Sequence, residues 1–461
     1  MAHASTQTKT GNLTVQELTV MVAAKEIDTV IIAFTDMQGR LVGKRASARL
    51  FLEELAEHGA ECCNYLLAVD VEMNTVSGYA ISSWERGYGD MAMMPDLDTL
   101  RLTPWMPGTA MVTADLTWLD GTPVNPDPRQ VLKRQIQRLA DKGLAAYVGT
   151  ELEFIVFDDS YREAWKKKYT DLTPASDYNI DYALMASTRM EPLLRDIRNS
   201  MDAAGMYCEG VKGECNLGQQ EIAFRYTDAL GTCDNHSLYK NGAKEIADAH
   251  GKSLTFMAKY NEREGNSCHI HLSVRGLTDD APVMADKDRP YGFSKLMEHW
   301  IAGQLVAMRE MSLFFAPNIN SYKRYVPGSF APTAVAWGVD NRTCALRVVG
   351  HGQSLRVENR VPGGDVNQYL AVAAIIAGGL FGLEHELELE PIFEGNAYAS
   401  DAPRVPSSLR DAADLFAGSE IAIEAFGEDV VAHYLNNARI EQAVYDAAIT
   451  DWERVRGFER F

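Results

Sequence analysis

The sequence predicts an α+β protein in which an antiparallel sheet lines a charged cavity. Two observations support this fold class. Several short apolar runs carry polar residues at alternate positions, which is typical of strands, and other stretches have the caps and apolar length typical of helices. With 461 residues the chain is long enough for a large core and for two domains.

The first strand is predicted at residues 151–157, where two glutamates lie in an otherwise apolar run. Residues i and i+2 of a strand point to the same face, so Glu151 and Glu153 share one face. Two neighbouring carboxylates repel each other unless a cation lies between them. Taken alone, the pattern fits a solvated glutamate pair on an edge strand equally well.

The same pattern recurs in three later segments, which favours a cavity over a solvated edge. The polar positions of these segments are Glu214 and Glu221 on either side of a turn at Gly218, His269 and His271, and Arg356, Glu358 and Arg360. Five glutamates and one histidine form an oxygen-rich set that suits Mg²⁺ or Mn²⁺. The seven cysteines show no paired CxxC spacing, so a zinc site is not expected.

Other segments predict strands and helices that carry no candidate site residues. Residues 29–35 and 40–45 indicate a hairpin that turns at Gly39. Asp127 and Pro128 are typical of a helix start, with Gly143 as the stop. Residues 369–383 indicate a buried helix, and helical patterns run from Leu409 to the end. Turn-forming residues cluster at 104–108 and 121–128, so we place a domain boundary in that region.

Composition excludes some partners. The net charge of −20 argues against nucleic acid or an anionic membrane surface. The first ten residues lack an apolar signal core, and the run 369–383 is shorter than the roughly 20 residues that a membrane span needs. Cysteines such as Cys62 and Cys63 fit a reducing compartment, so we expect a cytoplasmic protein.

Six motifs in one order carry a resemblance that covers nearly the whole chain. They are VGTELEF (148–154), GECNLGQQE (213–221), GNSCHIH (265–271), NSYKRYVP (320–327), DNR (340–342) and RVENR (356–360). Together they resemble the glutamine synthetase family. The resemblance implies a β-grasp domain over residues 1–115 and a catalytic half-barrel of antiparallel strands with helices over residues 116–461. It also implies active sites shared between subunits of a homo-oligomer, expected to be a dodecamer of two hexameric rings.

The family chemistry implied is activation of a carboxylate. ATP converts the γ-carboxylate of glutamate into an acyl phosphate, which an amine then displaces. Two or three Mg²⁺ or Mn²⁺ ions and several arginines neutralise the phosphate charge. By resemblance, Glu153, Glu214 and Glu221 hold one metal ion. In the same way, Glu151, His269 and Glu358 hold another.

The resemblance also assigns the substrates. Gly265, Arg324 and Arg360 match the groups that bind glutamate, with Tyr178 and Phe330 beside the substrate. Arg342 and Arg347 match the residues that stabilise the transferring phosphoryl group. The positions near the nucleotide are Glu209, Tyr226, His271, Ser273 and Arg356. Seen alone, each arginine fits a surface salt bridge and Tyr226 fits core packing.

Two segments depart from the glutamine synthetase pattern. Glutamine synthetases have a glutamate where this chain has Phe330 in the segment GSFAP, and a phenyl ring cannot accept a proton. The family's short ammonium loop is replaced by residues 70–79, where Asp70 and Glu72 are expected to face the amine site of a neighbouring subunit. These changes resemble the γ-glutamyl-amine branch, which joins glutamate to polyamines, ethanolamine or other small alkylamines.

Three functions therefore remain open. The chain is expected to be an ATP-dependent glutamate–amine ligase for a small alkylamine. An ammonia-using glutamine synthetase is the alternative, and a catalytically inactive structural or regulatory relative is the third hypothesis. The intact set of six candidate metal ligands argues against the third. The sequence does not identify the amine.

Overall fold

The computed structural model describes residues 11–460, whose strands form two sheets, one of six strands and one of nine. The six-stranded sheet contains β1 (Thr29–Thr35), β2 (Leu41–Ser47), β3 (Ala60–Cys63), β4 (Asp90–Pro95), β5 (Arg101–Leu102) and β6 (Thr109–Thr117). The nine-stranded sheet contains β7 (Leu144–Phe157), β8 (Cys208–Gly213), β9 (Gln219–Phe224), β10 (Thr227–Asp228), β11 (Ser253–Thr255), β12 (Cys268–Gly276), β13 (Trp337–Val339), β14 (Leu346–Val349) and β15 (Arg356–Asn359).

The N-terminal sheet is of the β-grasp kind. Its strand order is β2-β1-β6-β4-β3, with β5 beside β6, and β1 and β6 run parallel. The predicted hairpin is confirmed, since β1 and β2 pair antiparallel and Gly39 turns the chain with a φ of 78°. This part of the chain also contains the helices α1 (Val15–Ala23), α2 (Ala48–Leu50) and α3 (Ala56–His58), the last two joined by a π-helical turn.

The larger sheet curls into a half-barrel in the order β13-β14-β15-β12-β7-β9-β8, and β10 and β11 also pair with β7. Except for the parallel pair β13 and β14, its strands are antiparallel. The longest strand, β7, runs through the middle between β12 and β9. The predicted antiparallel half-barrel is therefore confirmed, and β7 carries Glu151 and Glu153 at its centre.

Helices cover the half-barrel and follow it to the C-terminus. They are α4 (Pro128–Ala140), α5 (Tyr161–Lys166), α6 (Leu184–Ala203), α7 (Ala229–Ala249), α8 (Lys295–Met308), α9 (Ser312–Phe315), α10 (Gln368–Glu384), α11 (Leu409–Ala417), α12 (Glu420–Phe426), α13 (Glu428–Ala447) and α14 (Asp451–Gly457). Asp127 caps α4 by accepting a hydrogen bond from the Arg129 N–H, and α10 is buried over most of its length, both as predicted.

A buried arginine connects the N-terminal sheet with helix α7. Arg129 on α4 is 2.7 Å from Asp96 and 2.5 Å from Asp115, both beside or on the N-terminal sheet. On its other side it is 2.9 Å from Asp234 of α7. The domain boundary predicted after residue 115 stays a prediction. It falls near the end of β6, which continues to Thr117 before the chain enters α4.

No helix between residues 11 and 460 is long and apolar enough to cross a membrane. All seven cysteines are free thiols.

Candidate active site

The centre of β7 sets the geometry of the site. Glu151 is paired with His269 of β12, and Glu153 is paired with Glu221 of β9. The alternation of a strand directs both β7 carboxylates to one side of the sheet. Each carboxylate therefore meets a different neighbouring strand, and two separate clusters form.

The first cluster joins Glu151, His269 and Glu358, whose candidate ligand atoms all lie within 4.8 Å of one another. Nδ1 of His269 lies 3.4 Å from Oε2 of Glu151 and 3.5 Å from Oε1 of Glu358. Glu358 is fully buried and is held by Nη1 of Arg347 at 2.8 Å and Nη1 of Arg360 at 2.5 Å.

The second cluster joins Glu153, Glu214 and Glu221, again with candidate ligand atoms within 4.8 Å of one another. The predicted turn brings them together: Gly218 has a φ of 72°, and the Glu214 N–H donates to the Gln219 carbonyl at 3.0 Å. Three carboxylates whose oxygens lie this close together form a donor set that fits a hard divalent cation.

Electrostatics differ between the clusters. Burial and the repulsion of Glu151 and Glu153 raise the pKa of Glu221 to about 9, and burial with the charge of Glu153 raises the pKa of Glu214 to about 7. Burial opposes ionisation of Glu358 as well, but the neighbouring His269 and Arg360 outweigh it and lower its pKa to about 2. Ionisation is therefore less well compensated in the second cluster than in the first.

Both clusters line one cavity of ≈ 310 Å³. All six predicted metal ligands reach it, and so do six residues predicted for glutamate, phosphate or the amine: Gly265, Arg324, Phe330, Arg342, Arg347 and Arg360. The arginines lie at the end of the sheet near β14 and β15. Arg324 reaches this end by donating to the carbonyls of Arg360 and Val361. The opposite end, formed by β8 and β9, is mainly acidic.

A second cavity of ≈ 460 Å³ adjoins the first at Glu151. The five residues predicted near the nucleotide all line it: Glu209, Tyr226, His271, Ser273 and Arg356. Nε of Arg356 lies 3.2 Å from Nδ1 of His271. Tyr226 is 50% exposed, so it is not a core residue. An exposed aromatic face beside cationic groups suits a purine ring.

The segment around Phe330 forms an exposed edge of the first cavity. Phe330 has a φ of 60°, which is rare for an aromatic residue, and its side chain is 58% exposed. Nη2 of Arg360 donates to its carbonyl at 3.3 Å. The arginine that holds Glu358 thus also holds this turn, and the ring lies at the opening rather than in the core.

Three predicted residues do not reach the cavities of this chain. Tyr178 is half exposed and lines neither cavity; Tyr182 lines the first one instead, because its N–H donates to the Gly213 carbonyl and docks this segment onto β8. Asp70 and Glu72 lie in an exposed turn closed by hydrogen bonds to the Asp70 carboxylate. The roles of these three residues stay predictions.

The structure adds residues that the sequence did not indicate. Asp181, Tyr182 and Lys212 line the first cavity. In the second cavity, the Arg275 guanidinium lies 5.0 Å from the Tyr147 ring and 5.9 Å from the Tyr226 ring. The sequence does contain a signal for Arg275: it lies two positions after Ser273 on β12 and therefore points to the same face of the strand.

A half-barrel whose central strand carries two acidic clusters, faced by arginines, defines a class of enzymes that activate carboxylates. Residues 125–456 match the family described as "Glutamine synthetase, catalytic domain". The chain belongs to the glutamine synthetase family, whose enzymes use ATP and divalent metal ions.

Similar proteins place the chain more narrowly. It is 62% identical to the "Gamma-glutamylethanolamide synthetase GlnA4" of Streptomyces coelicolor, over 98% of this chain and 97% of that protein. It is 36% identical to the "Glutamate--isopropylamine ligase" of a Pseudomonas species, over 93% and 95% of the two chains. The solved structure "GmaS/ADP complex-Conformation 1" superposes with a TM-score of 0.85 at 27% identity, covering 96% of this chain and 99% of that one.

The chain therefore belongs to the γ-glutamyl-amine branch of the family, as predicted. The expected enzyme class, an ATP-dependent glutamate–amine ligase, is confirmed. Ligation of an amine is favoured over the use of ammonia, and an inactive relative is not supported because the two acidic clusters and their arginines are assembled.

Proposed function

We propose that this enzyme joins the γ-carboxylate of glutamate to ethanolamine, through γ-glutamyl phosphate formed at the expense of ATP. The observation that carries this proposal is the polarity of the first cavity, with arginines at one end and carboxylates with the Tyr182 ring at the other. Anionic glutamate and phosphate suit the first end, and a small alkylammonium ion suits the second. The similarity to an ethanolamide synthetase over nearly the full length supports ethanolamine as the amine.

The two acidic clusters are the proposed metal sites. Glu153, Glu214 and Glu221 would hold one Mg²⁺ or Mn²⁺ ion, and Glu151, His269 and Glu358 a second. Bound ions supply the positive charge that draws electrons from the transferring phosphoryl group. Arg347 and Arg360 fix Glu358 in place, so that a ligand buried at the cavity floor keeps its orientation.

The arginine end is the proposed glutamate and phosphoryl site. Nε of buried Arg360 has no hydrogen-bond partner among residues 11–460, although Nη1 and Nη2 of the same side chain are engaged. This atom is free to donate to a substrate carboxylate. Arg342 is exposed at the opening and Arg347 is anchored between Asp340 and Glu358, which suits them to meet the phosphoryl group.

The second cavity is the proposed nucleotide site. Tyr226, Ser273 and Arg356 line it, and Glu151 forms part of the wall shared with the first cavity. The terminal phosphate of a nucleotide bound there would point into the first cavity, towards the proposed glutamate site. The base would stack on the exposed Tyr226 ring.

The amine is proposed to enter past Phe330. A carboxylate at this position would bind ammonium and take its proton, whereas a phenyl ring offers apolar surface to methylene groups. Asp70 and Glu72 of a neighbouring subunit would add negative charge, which requires a ring-shaped homo-oligomer. We propose a dodecamer of two hexameric rings and a cytoplasmic location.

Steady-state phosphate release with ATP, glutamate and Mg²⁺ tests the proposal. Ethanolamine, propylamine, isopropylamine and ammonium are supplied in parallel at equal concentration. Ethanolamine is expected to give the highest kcat/KM, and mass spectrometry should detect γ-glutamylethanolamide. Phosphate release that responds to ammonium alone would overturn the proposal.

A further inference from the structure

We propose that Lys212 is a specificity-determining residue that excludes diamines and polyamines, so that the accepted amine has one charged end and one neutral end. This inference rests on the proposed function and deepens it, because the γ-glutamyl-amine branch includes enzymes for both kinds of amine. It starts from an unexpected cation at the acidic end of the first cavity.

The register of the sheet places Lys212 in a row of charged side chains. Lys212 of β8 pairs with Glu221 of β9, and Glu221 pairs with Glu153 of β7. Paired residues of neighbouring antiparallel strands project to the same face. The row therefore runs from an edge strand to the central strand, and Lys212 is its outermost member.

The side chain of Lys212 points into the cavity rather than to solvent. Its Nζ forms an ion pair with Glu214 and lies 4.8 Å from the centre of the Tyr182 ring. The side chain is only 26% exposed. Among the described residues that line this cavity, Lys212 is the one basic residue at the β8–β9 end, since the four arginines belong to the opposite end.

This end of the cavity is where an alkylammonium substrate would bind. Its acidic residues that lie outside the two proposed metal clusters are Asp181 and Glu264. These carboxylates can compensate one ammonium group. A second ammonium group in a space of ≈ 310 Å³ would have to lie near the ammonium of Lys212, and like charges brought together in a partly buried site repel strongly.

The same side chain can recognise a neutral end. A lysine ammonium has three N–H donors, and one of them is used by Glu214. A hydroxyl group two carbons from the reacting amine would accept a hydrogen bond from another. Lys212 therefore repels a second cation and binds a hydroxyl oxygen, which together favour a hydroxyalkylamine.

The test compares kcat/KM for ethanolamine and for 1,4-diaminobutane in the wild type and in four variants. The variants are Lys212→Met, Lys212→Gln, Lys212→Glu and Lys212→Arg. Lys295→Met serves as the matched control, because Lys295 forms an exposed ion pair with Glu388 outside both cavities. Mn²⁺ affinity is measured calorimetrically on each protein without substrates, which separates an effect on the amine from an effect on Glu214.

The wild type should prefer ethanolamine to the diamine. Loss of the positive charge in the Met and Gln variants should reduce this preference about tenfold, and the Glu variant should reduce it further. Lys212→Arg and Lys295→Met should keep the preference within about threefold of the wild type. The reduction should occur in Lys212→Gln even where Lys212→Met is poorly folded.

Four results would contradict these proposals. An equal preference in the wild type and in the Gln and Glu variants overturns the role of Lys212, as does a wild type that uses the diamine as well as ethanolamine. Equal losses for both amines that follow the Mn²⁺ affinity overturn it too, since they indicate a metal effect. A wild type that uses ammonium alone overturns the proposed function itself.

Discussion

Glu153 and Glu221 face each other directly across the β7–β9 pair, at the centre of the half-barrel. This pairing puts two carboxylates side by side with a third, Glu214, within ligand distance. Only a cation makes such an arrangement favourable when all three are ionised. The sheet register therefore brings together the carboxylates of the proposed cation site.

The stability of the metal-free protein should fall as pH rises. Glu214 and Glu221 have folded-state pKa values raised to about 7 and about 9, so their contribution to stability is present at low pH and is lost as pH rises through these values. A bound cation replaces the protons and removes the loss. Mg²⁺ or Mn²⁺ should raise Tm more at pH 8.5 than at pH 6. Thermal denaturation with metal or with EDTA measures this, and a gain that is larger at pH 6 would contradict it.

Removal of a metal ligand should abolish turnover. Glu151→Ala or Glu214→Ala leaves the remaining carboxylates without a complete ligand set, and we expect activity to fall at least about a hundredfold. Excess chelator should have the same effect on the wild type. Glu388→Ala, a change in an exposed ion pair, is the control and should retain activity. Full turnover of either ligand variant would refute the metal assignment.

Two inactive variants should complement each other in mixed oligomers, because each active site is proposed to combine residues of two subunits. Asp70 and Glu72 lie outside the cavities of their own chain, so a variant with both changed to Ala and the variant Glu151→Ala should each be inactive. Mixed oligomers should regain up to about a quarter of wild-type activity, because some sites combine intact halves. Light scattering should show a large ring assembly. An active monomer, or no recovery after verified subunit mixing, would contradict this.

The ion pairs of Arg129 should be essential for stability. The guanidinium is buried between Asp96, Asp115 and Asp234. Arg129→Ala leaves Asp96 and Asp234 without this partner, whereas Asp115 keeps its ion pair with Lys133. We expect a loss of about 3–5 kcal/mol in the free energy of unfolding. Arg49→Ala removes an exposed pair and should cost less than about 1 kcal/mol. Chemical denaturation of the two variants tests the contrast, and equal losses would refute it.

The sequence predicted the parts of the site that depend on alternation within one strand. Glu151 with Glu153, and the turn at Gly218, could be predicted because local spacing determines which side chains share a face. The position of Lys212 in the cavity could not be predicted, because it depends on the pairing of β8 with β9. Tyr182 could not either, since its segment is docked by contacts with β8, among them a hydrogen bond from its N–H to the carbonyl of Gly213, 31 positions further along the chain.

Phe330 should influence the choice of nucleophile. Phe330→Glu restores a carboxylate at the opening of the cavity and removes apolar surface. The ratio of kcat/KM for ethanolamine to that for ammonium should fall, mainly through weaker use of ethanolamine, which loses about 0.8 kcal/mol for each methylene no longer buried. Phe330→Leu keeps an apolar side chain and should stay close to the wild type. An unchanged ratio in Phe330→Glu would reduce Phe330 to a packing residue.

An alkylamine, and not ammonia, is the proposed nucleophile of this enzyme. One competition reaction tests it most directly: the wild-type enzyme receives ATP, glutamate and Mg²⁺ with ethanolamine and ammonium at equal concentration, and mass spectrometry measures both products. We expect γ-glutamylethanolamide to exceed glutamine greatly. Glutamine as the main product would contradict it.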